Sequence, residues 1–141
     1  MPASPSEILR SWFARVWNAG DESAIDEIYT PDTVAHGLPG GPIKGPAAFK
    51  PFFHSFRSAF PNIRVEVTHS VTEGELCAVH CDVTGTHTGD GLGVPATNRS
   101  VHFTGMTMAR VGSDGRILEG WNSYDFLLMY HQLGIDPPQP V

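Results

Sequence analysis

The sequence predicts an α+β fold in which N-terminal helices pack on a mostly antiparallel sheet. Before residue 62 the apolar residues recur at helical spacing, and after it they alternate with polar residues as in strands. The chain has 141 residues, 40% of them hydrophobic and 17% charged, a composition typical of a globular domain. We therefore expect a single domain over residues 1–141, with the sheet curling into a cone around an apolar cavity.

Two helices are predicted before residue 30. The segment Ser4–Glu7 is a capping box with proline at the first helical position. One apolar face follows it, formed by Ile8, Leu9, Trp12, Phe13, Val16 and Trp17. Gly20 ends this helix, and Asp21 can cap a short second helix that reaches Tyr29.

A third helix is predicted to begin at Gly45 and Pro46 and to stop at Pro61. Pro51 either kinks this helix or marks its true start. The preceding segment, HGLPGGPIKGP at residues 36–46, is too rich in glycine and proline for regular structure.

The strands are predicted from alternation. Apolar residues alternate with polar ones over residues 63–67 and 77–83, and a further strand runs from Val101 to Val111. A Gly/Pro-rich excursion precedes that strand. The turn sequence Gly112-Ser113-Asp114-Gly115 then leads into a returning strand over residues 116–125.

Charge and cysteine content argue against several classes of protein. The net charge of −6 gives no basic surface for nucleic acid or anionic membranes. No stretch approaches the ~20 apolar residues of a spanning helix, and residues 1–10 do not resemble a signal peptide, so we expect a cytoplasmic location. Cys77 and Cys81 lie four apart on a strand, roughly 13 Å at ~3.3 Å per residue, and we expect both to be reduced.

The seven histidines do not form a metal-binding pattern. No two of them are spaced i, i+4 on a helix, and no cysteine or carboxylate accompanies them at ligand spacing. The sequence also lacks the GxGxxG, P-loop and GxSxG motifs. We expect no metal and no cofactor.

Asp125 is the carboxylate whose sequence context most favours a catalytic role. It lies in the apolar segment GWNSYDFLLMYHQLG, residues 120–134. On a strand it shares a face with Trp121, and a cavity-facing position would raise its pKa towards that of a general acid/base. The alternative is that Asp125 is the N-cap of a C-terminal helix. Local sequence favours neither interpretation.

Other residues are candidates for the pocket. His36 follows a strand-like run and can reach a cavity mouth, whereas His87 lies where a strand ends in a flexible loop. Met106 and Met108 can form an adaptable apolar wall. The expected aromatic wall consists of Trp17, Tyr29, Phe52, Phe53, Phe56 and Trp121.

Four ordered segments resemble the SnoaL-like polyketide (ester) cyclases, a branch of the NTF2-like superfamily. They are VWNAGDESAIDEIYTPDTVAHG, GPAAFKPFFHSFRSAFPNIRVEV, GTHTGDGLGVPATNR and DGRILEGWNSYDFLLMYHQLG. The resemblance covers roughly residues 8–134. It implies a cone-shaped α+β barrel assembled as a homodimer or homotetramer, acting on a small apolar or aromatic molecule.

The resemblance also implies a reaction and roles for residues. Members of the family close a polyketide ring by intramolecular aldol condensation without a cofactor. Asp125 matches the family's acid/base, and His36 and His87 match histidines of the pocket. The strand HFTGMTMARV departs from the pattern, because relatives can carry a histidine there that faces the aspartate. The nearest candidates here are Thr104, Thr107 and His102, and Asn122 and Trp121 are candidates to position the substrate.

Two other functions fit the same cavity. The first is an epoxide hydrolase of the limonene type or an isomerase. The hydrolase requires an Asp–Arg–Asp set around a water, for which the sequence contains Arg110 and Asp82 in addition to Asp125. A non-catalytic module that binds small molecules is the second, because one fold supports many functions. The ordered matches favour the cyclase, with Asp125 as acid/base.

Overall fold

The structure is a computed structural model that describes residues 3–138. Its helices are α1 (Pro5–Trp12), α2 (Ser23–Ile28), α3 (Gly45–Ala59) and α4 (Phe126–Leu133), and a π-helical segment, Phe13–Asn18, continues α1. Its strands are β1 (Tyr29–His36), β2 (Ile43–Lys44), β3 (Arg64–Glu73), β4 (Leu76–Thr86), β5 (Ser100–Val111) and β6 (Ile117–Tyr124).

The six strands form one sheet in the order β2-β1-β6-β5-β4-β3. Only β1 and β6 are parallel, and all other neighbours are antiparallel. The α+β fold class is therefore confirmed. The sheet is curved but does not close, so β2 and β3 remain as its two edges.

The first helix begins as the capping box predicts. The Ser4 hydroxyl accepts a hydrogen bond from the backbone N–H of Glu7, and proline occupies the first turn. The π-helical turns widen the helix, which turns Phe13, Val16 and Trp17 inwards. At their end, the Asn18 side-chain amide bonds both the N–H and the C=O of Val65 on the edge strand β3.

Helix α3 begins at Gly45 and runs through Pro51, so Pro51 does not mark the start of the helix. Pro51 lies on the exposed side, where the lost backbone hydrogen bond faces water. The opposite side buries Phe49, Phe53 and Phe56 against the helices and the sheet.

Three expectations about the elements are wrong. Tyr29 begins β1 instead of ending α2, and the glycine-rich segment 36–46 contains the short strand β2. The returning strand stops at Tyr124, and Asp125 is the N-cap of α4. The β1–β6 ladder pairs residues more than 80 positions apart, and local sequence patterns do not report such pairing.

The helices cover only one face of the sheet, here called the inner face. The core lies between that face and the helices, and it includes Leu9, Val16, Phe49, Phe60, Val79 and Cys81. The outer face carries exposed apolar side chains such as Val71, Met106 and Met108. In residues 3–138, no helix has the length and apolar character needed to cross a membrane.

Candidate active site

An apolar cavity lies between the inner face and the helices. Its volume is about 60 Å³, or about 520 Å³ with the open mouth included. The lining residues are Trp12, Phe13, Trp17, Tyr29, Leu38, Phe49, Phe52, Phe56, Ile63, Val65, Val83, Phe103, Asn122, Tyr124 and Phe126. None of these side chains carries a charge, so the cavity suits a neutral and largely apolar ligand.

Aromatic rings form most of the cavity wall. The rings of Trp12 and Tyr29 stack with centroids 4.4 Å apart and planes 4° apart. Phe49 meets both rings edge-on, and Trp17 contacts Phe52 and Phe56 in the same way. These offset and edge contacts are the arrangements that aromatic quadrupoles prefer, and they give the wall a defined shape.

The polar part of the wall comes from β6 and is supported by β5. Asn122 and Tyr124 line the cavity, and the Thr107 hydroxyl lies 2.8 Å from Asn122 Oδ1 and 2.9 Å from the Tyr124 hydroxyl. A Cβ at Gly105 would lie 2.0 Å from the Tyr124 ring, so glycine is required there. Burial raises the pKa of the Tyr124 hydroxyl, which therefore stays protonated.

Asp125 does not lie in the cavity, and the expectation that it faces inwards with Trp121 is wrong. Its Oδ1 accepts a hydrogen bond from the Leu128 N–H at 3.0 Å, so Asp125 is the N-cap of α4, and its side chain is exposed. The inward face of β6 carries residues 122 and 124 instead. Asp125 nevertheless lies between Tyr124 and Phe126, which both line the cavity.

His36 ends β1 on the outer side of the sheet. Its Nε2 lies 2.7 Å from Glu119 Oε2, and its ring stacks on Trp121 with centroids 5.8 Å apart. The backbone carbonyl of His36 accepts a hydrogen bond from Asn122 Nδ2 at 2.9 Å. His36 is thus connected to the cavity through its main chain, while its imidazole faces the other side of the sheet.

His87 is fully buried at the start of the loop 87–99, against the ring of Phe60. Its Nδ1 accepts a hydrogen bond from the Thr97 N–H at 3.1 Å, which leaves the ring proton on Nε2. That nitrogen is buried without a partner among the described residues. Burial lowers the pKa of His87, and the neutral ring holds the two ends of the loop together.

The other predicted pocket residues divide between the two faces of the sheet. Trp17, Tyr29, Phe56 and Asn122 line the cavity, Phe53 packs in the core beside Trp17, and Thr107 supports Asn122 from beneath. The expectation is wrong for four residues that lie on the outer face: His102, Thr104, Met106 and Trp121. Met106 and Trp121 line a shallow outer groove with Met108 and Ala78.

The residues for a hydrolytic water site are not brought together. Arg110 lies opposite Glu119 in the β5–β6 ladder, and Asp82 lies opposite Thr104 in the β4–β5 ladder. Arg110 and Asp82 are both on the outer face, away from the cavity lining. The Asp–Arg–Asp arrangement of an epoxide hydrolase is therefore absent from residues 3–138. In that same part of the chain, no group of three or more His, Cys, Asp and Glu side chains is arranged to hold a metal ion.

Comparison with known proteins agrees with this fold. The sequence model of the SnoaL-like polyketide cyclases matches residues 7–133. The chain belongs to the SnoaL-like polyketide cyclase family. No curated protein matches it at a significant level.

Solved structures extend the similarity of this SnoaL-like protein. Wild-type IdmH, a candidate polyketide cyclase from Streptomyces antibioticus, is 32% identical with a TM-score of 0.80, covering 94% of this chain and 100% of that one. AclR, a candidate hydroxylase from Streptomyces galilaeus, is 26% identical with a TM-score of 0.80, covering 96% and 88%. A candidate SnoaL-like polyketide cyclase from Jannaschia sp. CCS1, 24% identical with a TM-score of 0.83 over 94% and 93% of the chains, shares the fold.

Sequence reasoning missed several lining residues of this SnoaL-like protein. Trp12 and Phe13 were predicted as part of a helix face, without a role in the cavity. Tyr124 and Phe126, which flank Asp125, were not predicted to line the cavity. One signal was available for Tyr124, because Gly105 interrupts an otherwise regular strand and marks the close approach of another group.

Proposed function

We propose that this chain closes a ring in a polyketide-like ester or ketone by intramolecular aldol condensation without a cofactor. The observation that most supports this proposal is the uncharged aromatic cavity with a polar edge formed by Asn122. Such a cavity favours a flat, neutral ligand in a folded conformation. The 32% identity to IdmH, a candidate polyketide cyclase, supports this reaction class.

We propose Asp125 as the acid/base, acting from the edge of the cavity. Its chain neighbours on both sides line the cavity, and its Oδ1 is fixed by the Leu128 N–H. Its second oxygen, Oδ2, has no hydrogen-bond partner among the described residues. In this arrangement the reacting methylene lies at the mouth, and the rest of the ligand lies between the aromatic rings.

The reaction begins when the Asp125 carboxylate removes a proton from a methylene group flanked by two carbonyls. The resulting enolate is delocalised, so one carboxylate is a sufficient base. The enolate carbon attacks a second carbonyl carbon of the same molecule, which forms the new C–C bond and an alkoxide. Protonated Asp125 returns its proton to the alkoxide. Holding the two ends together contributes up to about 7–11 kcal/mol.

The test is Asp125→Asn, assayed with a panel of linear polyketide-like β-keto esters. Asparagine is as good an N-cap as aspartate, so the fold and α4 are retained. We expect ring closure, followed by mass spectrometry, to fall by about 10²- to 10⁴-fold. Asp82→Asn is the matched control, because Asp82 is a carboxylate on the outer face.

Undiminished turnover in Asp125→Asn would remove this residue as the acid/base. If the wild-type protein binds members of the panel without cyclising any, the chain is a binding module. The N-cap role and the exposure of Asp125 are the observations that favour that second function.

We also propose that the chain forms a homodimer or homotetramer through its outer face. A row of side chains crosses that face in direct register: Val71, Ala78, Met108, Trp121 and His36. Val71 is 73% exposed and Met108 is 39% exposed. Four of the five side chains are apolar, and an exposed apolar surface of this kind is typical of a self-complementary interface between two copies.

A further inference from the structure

A directed chain of hydrogen bonds lies beneath the cavity. Asn122 Nδ2 donates to the His36 carbonyl, which can only accept, so the orientation of the amide is fixed. Asn122 Oδ1 therefore faces Thr107, and the Thr107 hydroxyl donates its single proton to it at 2.8 Å. The Tyr124 hydroxyl must then donate to Thr107 at 2.9 Å.

This series of hydrogen bonds determines which N–H and O–H groups of the wall remain free to bind a ligand. The Tyr124 proton is engaged by Thr107, although the Tyr124 ring lines the cavity. Asn122 Nδ2 carries two protons, and only one of them is used by the His36 carbonyl. One N–H of a cavity-lining side chain is thus left without a partner among the described residues.

Tyr29 supplies a second free donor. It lines the cavity, is 5% exposed and is held flat by its stack on Trp12. Its hydroxyl makes no hydrogen bond to any described residue, and burial raises its pKa, which keeps the proton in place. Because this oxygen is not among the fully buried polar atoms of the described residues, a ligand oxygen can reach the hydroxyl and accept its proton.

We propose that Tyr29 and Asn122 bind carbonyl oxygens of the ligand in the aromatic cavity. The recognised class is a flat, uncharged molecule with a carbonyl group, because the lining offers two free donors and no charge to compensate an ion. The inference rests on the proposed function and deepens it, since the same donors would polarise the carbonyl that the enolate attacks. The assignment concerns binding and is separable from the role of Asp125.

The test compares two small probes of similar shape, 1-indanone and indane, which differ by one carbonyl oxygen. Dissociation constants are measured by NMR titration, with the indole N–H signals of Trp12 and Trp17 as reporters in the cavity wall. We expect the wild-type protein to bind indanone roughly tenfold more tightly than indane, as one or two hydrogen bonds allow. Tyr29→Phe and Asn122→Leu should each reduce that ratio several-fold, because each removes one donor that only indanone can use.

Tyr130→Phe is the matched control, because Tyr130 is a half-buried tyrosine outside the cavity lining. It should leave both affinities at their wild-type values. A ratio that is unchanged in Tyr29→Phe overturns the proposal, as does wild-type protein that binds neither probe or binds both equally. A purely structural role of Tyr29 would change both affinities together. The probes require no turnover, so failure of the aldol proposal and failure of this one are separate results.

Discussion

The two faces of strands β5 and β6 carry similar residues in different surroundings. The inner face presents Tyr124, Asn122 and Thr107, whereas the outer face presents Trp121 and Met108. Each face thus combines a large aromatic ring with side chains that can contact a ligand. The inner set is enclosed by α1 and α3 and lines a cavity, while the outer set faces solvent.

The difference shows that the layer packed above a strand, and not the strand's own sequence, decides which side becomes a pocket. Inner-face residues depend on each other through close ring contacts and the hydrogen bonds of Thr107. Outer-face residues such as Met106, which is 50% exposed, make few contacts of this kind. Substitutions on the two faces should therefore differ strongly in their effect on stability.

The largest expected effect is that of Phe49→Ala. Phe49 is 2% exposed and contacts the rings of Trp12, Trp17 and Tyr29, so its removal leaves a void. We expect the free energy of unfolding to fall by about 3–5 kcal/mol in urea denaturation. Met106→Ala, at a side chain on the outer face, should change it by less than about 0.5 kcal/mol. Equal losses would contradict the contrast between the faces.

Thr107→Val should have an intermediate effect. It removes the hydroxyl that joins Asn122 to Tyr124 and keeps the shape of the side chain. The two partly buried groups lose a partner, at a cost of about 1–3 kcal/mol in the free energy of unfolding. Thr104→Val is the same change on the same strand at an exposed position, and thermal melts of the pair compare the two faces directly. A loss as large in Thr104→Val would refute the role given to the hydroxyl.

The pH dependence of stability tests His87, whose pKa burial lowers in the folded state. The folded protein then binds fewer protons than the unfolded chain, so stability is complete above the ordinary histidine pKa of about 6.5 and declines as the pH falls below it. Urea unfolding at pH 7.5 and 5.5 should show this loss. His87→Gln should flatten the profile, and His131→Gln, on α4, should not. A wild-type profile that is flat over this interval would count against the buried neutral ring.

The smallest effect on stability is expected for Met108→Glu on the outer face. Because Met108 is 39% exposed, the free energy of unfolding of the monomer should change by less than about 0.5 kcal/mol. If the outer face joins two copies, the buried charge should reduce the mass found by light scattering to that of one chain. Leu127→Glu places the same charge at an exposed apolar residue of α4, away from the sheet, and is the control. An unchanged mass in Met108→Glu would exclude this face as the interface.

Local signals in the sequence predicted several elements correctly. Ser4 caps α1, and the turn before β6 has Gly115 at a φ of +78°, a conformation that favours glycine. The alternation in β4 buries Cys77, Val79 and Cys81 as expected. Each of these features depends on residues within a few positions of one another, which is why the sequence reveals them.

The site was less accessible to sequence reasoning, because it depends on distant contacts. Alternation correctly divided β6 into two faces, but both faces carry an aromatic residue, Trp121 on one and Tyr124 on the other. Nothing in the strand itself identifies the covered side, which is decided by the parallel ladder to β1 and by the helices. Asp125 was placed wrongly because the strand ends one residue earlier, where α4 begins.

The two hydrogen bonds between the Asn18 side-chain amide and the Val65 backbone also bear on how the protein behaves at high concentration. An edge strand offers free N–H and C=O groups on which another chain can add a strand and begin a fibril. The Asn18 amide occupies one such N–H and one such C=O of β3, as a neighbouring strand would. Ser6 and Arg10 both contact Ser70 further along that strand. The first helix and its π-helical extension thus cover part of the edge on which such a strand would add.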